Sequence, residues 1–106
     1  MSQIAQRFAA LGDAHRLKII EILARGPCTV GDMHEEFSMT LPGLLKHLRK
    51  LESAALIRTK KLGRVVTCYL DSRNLQEAED WIRLQYRFWN ESLSRLEGVL
   101  EDESES

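Results

Sequence analysis

The 106 residues hold only two cysteines and two prolines, no histidine from residue 71 onward, and no long apolar run. Each scarcity excludes something. Two thiols 40 positions apart cannot build a disulfide scaffold, which fits a reducing compartment. Without an apolar stretch of roughly 18 residues or a leader pattern, neither a membrane span nor secretion is expected, and the chain is read as cytoplasmic. No phosphate-cradling glycine loop, no Ser-His-Asp set and no Cys-His pair can be proposed, so enzyme chemistry has no starting point. Tetrahedral zinc needs three or four converging N, S or O ligands. His15, His34 and His47 fall on three different predicted helices, so no metal or other cofactor is expected. His15 reads as a helix-start residue, His34 as solvated, and His47 as packing or touching phosphate.

What is present is an uneven distribution of charge. The net value is only −1, yet residues 40–66 carry seven basic side chains against Glu52 alone, a local +6. Residues 71–106 carry ten acidic against four basic, a local −6. A phosphate-facing surface requires local positive potential rather than a basic protein. Double-stranded DNA is therefore the expected partner, although a solvated basic surface would give the same count.

The basic stretch has a pattern. Thr40 is a good N-cap, and Pro42 falls in the first turn, where its missing N–H does no harm. Leu44, Leu48, Leu51 and Ala55 then form a single helical stripe. Lys46 and Lys50 point away from that stripe, with Pro42, Gly43 and Arg49 beside them and His47 on its flank. Two β-rich runs follow, Leu56 to Lys61 and Val65 to Leu70, joined by Leu-Gly-Arg at 62–64. A helix with a cationic outer face followed by a basic hairpin is the order of a winged helix-turn-helix. The DNA-binding candidates are Thr40, Pro42, Gly43, Lys46, His47, Arg49, Lys50, Lys60, Lys61 and Arg64. Lys46 is the candidate for a base edge, and Lys60, Lys61 and Arg64 for backbone or minor groove.

The fold class is mainly α with a short β-hairpin wing and about five helices, as one domain over 1–100. An opening helix spans Ser2 to about Leu11, with Ile4, Phe8 and Leu11 on one face. Asp13 caps a second, with Leu17, Ile20 and Leu23/Ala24 as its stripe and Gly26-Pro27 as its end. Thr29 and Asp32 read as a capping box for a third, reaching about Phe37. A final helix runs roughly from Asn74 to Leu100, and 101–106 is expected to be a disordered acidic tail. Its stripe comprises Ala78, Ile82, Gln85, Trp89, Leu93, Leu96 and Leu100, widened by Trp81, Tyr86 and Phe88. This helix is longer than a small head domain needs, and its aromatic band is costly to leave in water. A homodimer interface built from Ile4, Phe8, Ile82, Gln85, Trp89, Leu93 and Leu96 is expected; packing onto the domain's own core is the alternative.

FAALGDAHRLKIIEIL (8–23), TVGDM (29–33), MTLPGLLKHLRKLESAALI (39–57) and GRVVTCYLD (63–71) together resemble the ArsR family of bacterial winged-helix repressors. WIRLQYRFWNESLSRLEGVL (81–100) looks like the last helix of a metal-independent branch. The resemblance implies a homodimeric repressor on a palindromic operator, with the first and last helices as interface. Metal-sensing members carry Cys-x-Cys where this chain has Thr29 and Gly31, and Asp and His pairs on a last helix that here lacks histidine. Metal is therefore expected to be irrelevant to DNA binding. The chain also departs from the family at Leu45, where a small hydroxyl residue is common. A winged helix used only for protein contacts, or a repressor of the same fold responding to redox state through Cys28 and Cys68 or to a ligand, are the competing readings. Nothing in the sequence names an effector.

Overall fold

A computed structural model describes residues 2–105. Its elements are α1 (Gln3–Leu11), α2 (Ala14–Ala24), β1 (Cys28–Thr29), α3 (Val30–His34), α4 (Leu41–Ser53), β2 (Ile57–Leu62), β3 (Val65–Leu70) and α5 (Ser72–Glu105). The three strands form one antiparallel sheet in the order β1-β3-β2. This is a winged helix-turn-helix, with β2 and β3 as the wing.

Local chemistry sets most of the helix starts. The hydroxyls of Ser2, Thr29 and Thr40 accept from the amides three residues on, and the Asp13 carboxylate accepts from His15 and Arg16. Gly63, at φ 63°, and Arg64 form a two-residue hairpin loop, with Leu62 paired to Val65. A positive φ at the first loop position alone is the mark of a II′ turn, which suits the right-handed twist of the strands.

Burial corrects several expectations. In α2 the inward residues are Ile19, Ile22 and Leu23, whereas Leu17 is 48% exposed. Apolar and polar side chains are mixed on every side of this helix, so periodicity offered two stripes and packing against α4 and β3 chose between them. In α1 the buried positions are Arg7 and Ala10, while Ile4, Phe8 and Leu11 are half-buried. A charged side chain can point inward here because Nη1 of Arg7 donates to Glu77 and Nη2 to Asn74, both on α5. The third helix stops at His34 rather than near Phe37. β1 was not legible, since two residues are too few to display an alternation.

Ala55 does not continue the stripe of α4. Leu44, Leu48, Leu51 and Ala54 are buried, and Ala55 takes φ 59° just past the helix. Its amide bonds to Glu52 O, and that of Leu56 to Leu51 O, which is the Schellman pattern with alanine where glycine is usual. An L-residue with a Cβ costs roughly 1–2 kcal/mol in this region. Ala55→Gly is thus expected to raise stability by about 1 kcal/mol after the added unfolded-state entropy, read as a higher Tm; a lower Tm would contradict the assignment.

The last helix decides the overall shape. It begins at Ser72 and continues past Leu100 to Glu105, where a disordered tail had been expected; Ser106 lies outside the described residues. Extending an established helix needs no new nucleus, which favours continuation. The radius of gyration is 19.9 Å, against about 13 Å for a compact domain of this size. The excess comes from α5, which projects from the head. Its Ala78 is buried, but beyond it no side chain through Leu100 is.

Candidate nucleic-acid interface

The helix-turn-helix is held by contacts that fix the angle of α4. Nε2 of His34 lies 2.8 Å from Met39 O, tying the end of α3 to the residue before the Thr40 cap. His34 is half-buried rather than solvated, because that bond draws it in. From α2, Lys18 Nζ donates to Glu36 O and lies 4.5 Å from the centre of the Phe37 ring. Arg16 donates to the carbonyls of Ala9 and Ala10 and, through Nη1, approaches Nδ1 of His47 at 3.2 Å. Arg16, Lys18 and His34 are supports that sequence reasoning did not identify; Lys18 and Arg16 reach partners on other elements at Glu36 and His47, and His34 meets Met39 across the turn into α4.

α4 then presents the face expected of it. Leu44, Leu48 and Leu51 anchor the core side, and Pro42, Lys46, Arg49 and Lys50 are exposed on the opposite side. Thr40 is exposed but engaged, accepting from Gly43 N at 3.3 Å. Gly43 acquires a structural reason: a Cβ there would sit 3.3 Å from the Thr40 hydroxyl, crowding the cap. His47 turns from the outer face toward Asp13 and Arg16, which makes it a packing residue of the α2–α4 contact.

On the wing, Lys60, Lys61 and Arg64 are all exposed, with Arg64 in the turn. Alternation along β2 sends Lys60 and Lys61 to opposite faces, so the two adjacent lysines do not serve one surface. Of the seven basic residues counted between 40 and 66, Arg58 alone makes an ion pair among the described residues, with Asp71 at 3.8 Å. Lys46, Arg49, Lys50, Lys60, Lys61 and Arg64 make none. Leu45 lines a groove between α3, α4 and the wing, together with Leu41, Arg64 and Val65. Leu62 and Val65, flanking the turn, are 79% and 52% exposed.

Ile4 and Phe8 of the expected interface lie on α1 beside α5, where the Phe8 and Trp81 rings stand 5.4 Å apart. Ile82, Gln85, Trp89, Leu93 and Leu96 are exposed on α5, with Trp89 at 61%. This chain alone does not cover them.

The two cysteines, far apart in sequence, are direct Cα partners across β1 and β3. Burial pushes both thiols up, Cys68 to about 11, with carboxylates at Asp32 and Glu36 adding to the effect on Cys28. A raised thiol pKa means less thiolate at a given pH. At pH 8 a soluble thiol reagent should therefore react with Cys68 roughly a hundredfold more slowly in native than in unfolded protein. Equal rates would contradict the burial.

Comparison with known proteins agrees with this geometry. A family profile described as a helix-turn-helix domain matches residues 11–60. The transcriptional repressor SdpR of Bacillus subtilis is 32% identical over 75 residues, covering 71% of this chain and 83% of its own. The HTH-type transcriptional regulator Rv2034 of Mycobacterium tuberculosis is 28% identical over 96 residues, covering 91% and 87%. Among solved structures, the ArsR family transcriptional regulator RHA00566 superposes with a TM-score of 0.79 at 38% identity, over 83% of this chain and 91% of that one. An ArsR-like transcriptional regulator from Rhodococcus sp. RHA1 shares the fold at a TM-score of 0.85 and 22% identity, over 94% and 92%.

Proposed function

The chain belongs to the ArsR family of winged helix-turn-helix, DNA-binding transcriptional regulators, and from that premise we propose that it is a homodimeric repressor of an inverted-repeat operator, working in the cytoplasm. The observation that carries the DNA half is the cationic face of α4 and the wing, made of Lys46, Arg49, Lys50, Arg64 and one of Lys60 and Lys61, none with an acidic partner among the described residues. Unpaired cations on one surface are available to release counterions from a phosphate backbone. Thr40, Pro42 and Gly43 bring the start of α4 against the major groove. Lys46 reaches a base edge, Arg49 and Lys50 flank it on phosphate, and Arg64 tips the wing toward the minor groove with Lys60 or Lys61 on the backbone.

The dimer half rests on α5. Ile82, Trp89, Leu93 and Leu96 are all exposed on the part of α5 that projects from the head, an apolar stripe with nothing of this chain to cover it. Pairing it about a two-fold axis, with α1 alongside, buries it and sets two copies of α4 toward successive major grooves. No role is assigned to the thiols, since both are held as thiols at neutral pH, and no catalytic step is proposed.

Selection of genomic fragments by binding, followed by footprinting, tests the reading. The expected result is two protected half-sites related by inversion, with centres about one helical turn, roughly 34 Å, apart. Protection of a single half-site by a species that light scattering shows to be monomeric would overturn it.

A further inference from the structure

The start of α2 and the middle of α4 bring together three side chains that the sequence reading had left on separate elements. Asp13, His15 and His47 each offer one ligand atom, and these atoms all lie within 4.8 Å of one another. Nδ1 of His15 is 3.7 Å and Nδ1 of His47 3.8 Å from the same Asp13 oxygen, and the two imidazole rings stand 5.4 Å apart. We propose that Asp13, His15 and His47 form a binding site for one divalent transition-metal ion of borderline softness, with zinc or cobalt(II) as reference occupants and water completing the shell.

The donor set suits such an ion. Two imidazoles and a carboxylate with an open position are a common zinc arrangement, and bonds near 2.0–2.2 Å place neighbouring ligand atoms about 3.4 Å apart. The two separations to Asp13 need to close by a few tenths of an ångström and that between the imidazoles by no more than about 1.4 Å, and His15, an exposed side chain, is free to move.

The state of the ligands matters as much as their spacing. A guanidinium cannot accept a hydrogen bond, so Arg16 Nη1 at 3.2 Å from His47 Nδ1 requires a lone pair on that nitrogen. The Asp13 carboxylate is held in place by accepting from the His15 and Arg16 amides. One carboxylate and an unprotonated His47 nitrogen therefore converge beside a cationic side chain. A metal ion on that lone pair displaces the Arg16 guanidinium, and because the group is planar and rigid it gives up its bonds to Ala9 and Ala10 with it.

Cobalt(II) titration of the chelator-treated full chain, with zinc as competitor, tests this directly. One equivalent per chain is expected, with ligand-field absorption but no thiolate charge-transfer band, and with zinc shifting the ring signals of His15 and His47 but not His34 by NMR. His15→Gln, at an exposed position that leaves the fold alone, should weaken binding tenfold or more. Asp13→Asn retains a cap acceptor and should weaken it as well, whereas a Cys28→Ser, Cys68→Ser double variant should bind as the parent does. Unchanged affinity in His15→Gln, affinity lost with the cysteines, or no binding at micromolar metal would each overturn the site.

Discussion

Glutamate at both Trp89 and Leu93 is expected to leave the head folded and the protein monomeric, with operator affinity reduced by at least a hundredfold. The two side chains are exposed in the single chain, Trp89 at 61% and Leu93 at 36%, so the substitutions touch no core. At the centre of a dimer interface, truncating an aromatic anchor typically costs 2 kcal/mol or more, and burying a carboxylate adds to that. Two such changes exceed the 2.7 kcal/mol that corresponds to a hundredfold in a dissociation constant. A monomer also presents one cationic face instead of two, so the dependence of binding on salt should fall to about half its slope. Sedimentation or light scattering reads the first effect and a salt series of gel shifts the second. A double variant that remains dimeric would show that α5 is not the interface. One that is monomeric yet binds with the parent's affinity and salt slope would show that dimerisation is not needed.

The second large effect separates reading from holding. Arg64→Ala should weaken binding to operator and to random duplex alike, and should flatten the salt slope by about one ion per subunit. Arg64 lies in the two-residue turn at the end of the wing. Lys46→Ala should instead lose operator preference by a factor of roughly 5 to 150, matching 1–3 kcal/mol of base discrimination at one position, with a smaller loss on random DNA. Lys46 projects from the side of α4 opposite Leu44, Leu48 and Leu51, and no acid competes for it among the described residues. If both variants change the ratio of specific to non-specific affinity equally, this division of labour is wrong.

What could be read from the residues alone was whatever depends on near neighbours in sequence. The cap at Thr40, the proline in the first turn, the Leu44–Leu48–Leu51 stripe and the Gly63 turn all follow from chemistry within one or two turns of chain. The cationic outer face of α4 followed from the same periodicity, since fixing the buried side fixes its opposite. Tertiary structure decided the rest. Apolar and polar residues are mixed on every side of α2, and only packing chose Ile19 and Ile22 over Leu17. Arg7 turned inward because Asn74 and Glu77, nearly seventy residues away, supply its partners. Ala55 left its helix because Leu56 and Ile57 were drawn into the core. Cys28 met Cys68 through a strand of two residues, and Asp13, His15 and His47 converged only when the start of α2 was laid against α4. Short-range hydrogen bonding and helical period are written locally, whereas which charges are satisfied, and which ligands meet, depends on segments that only the folded chain brings together.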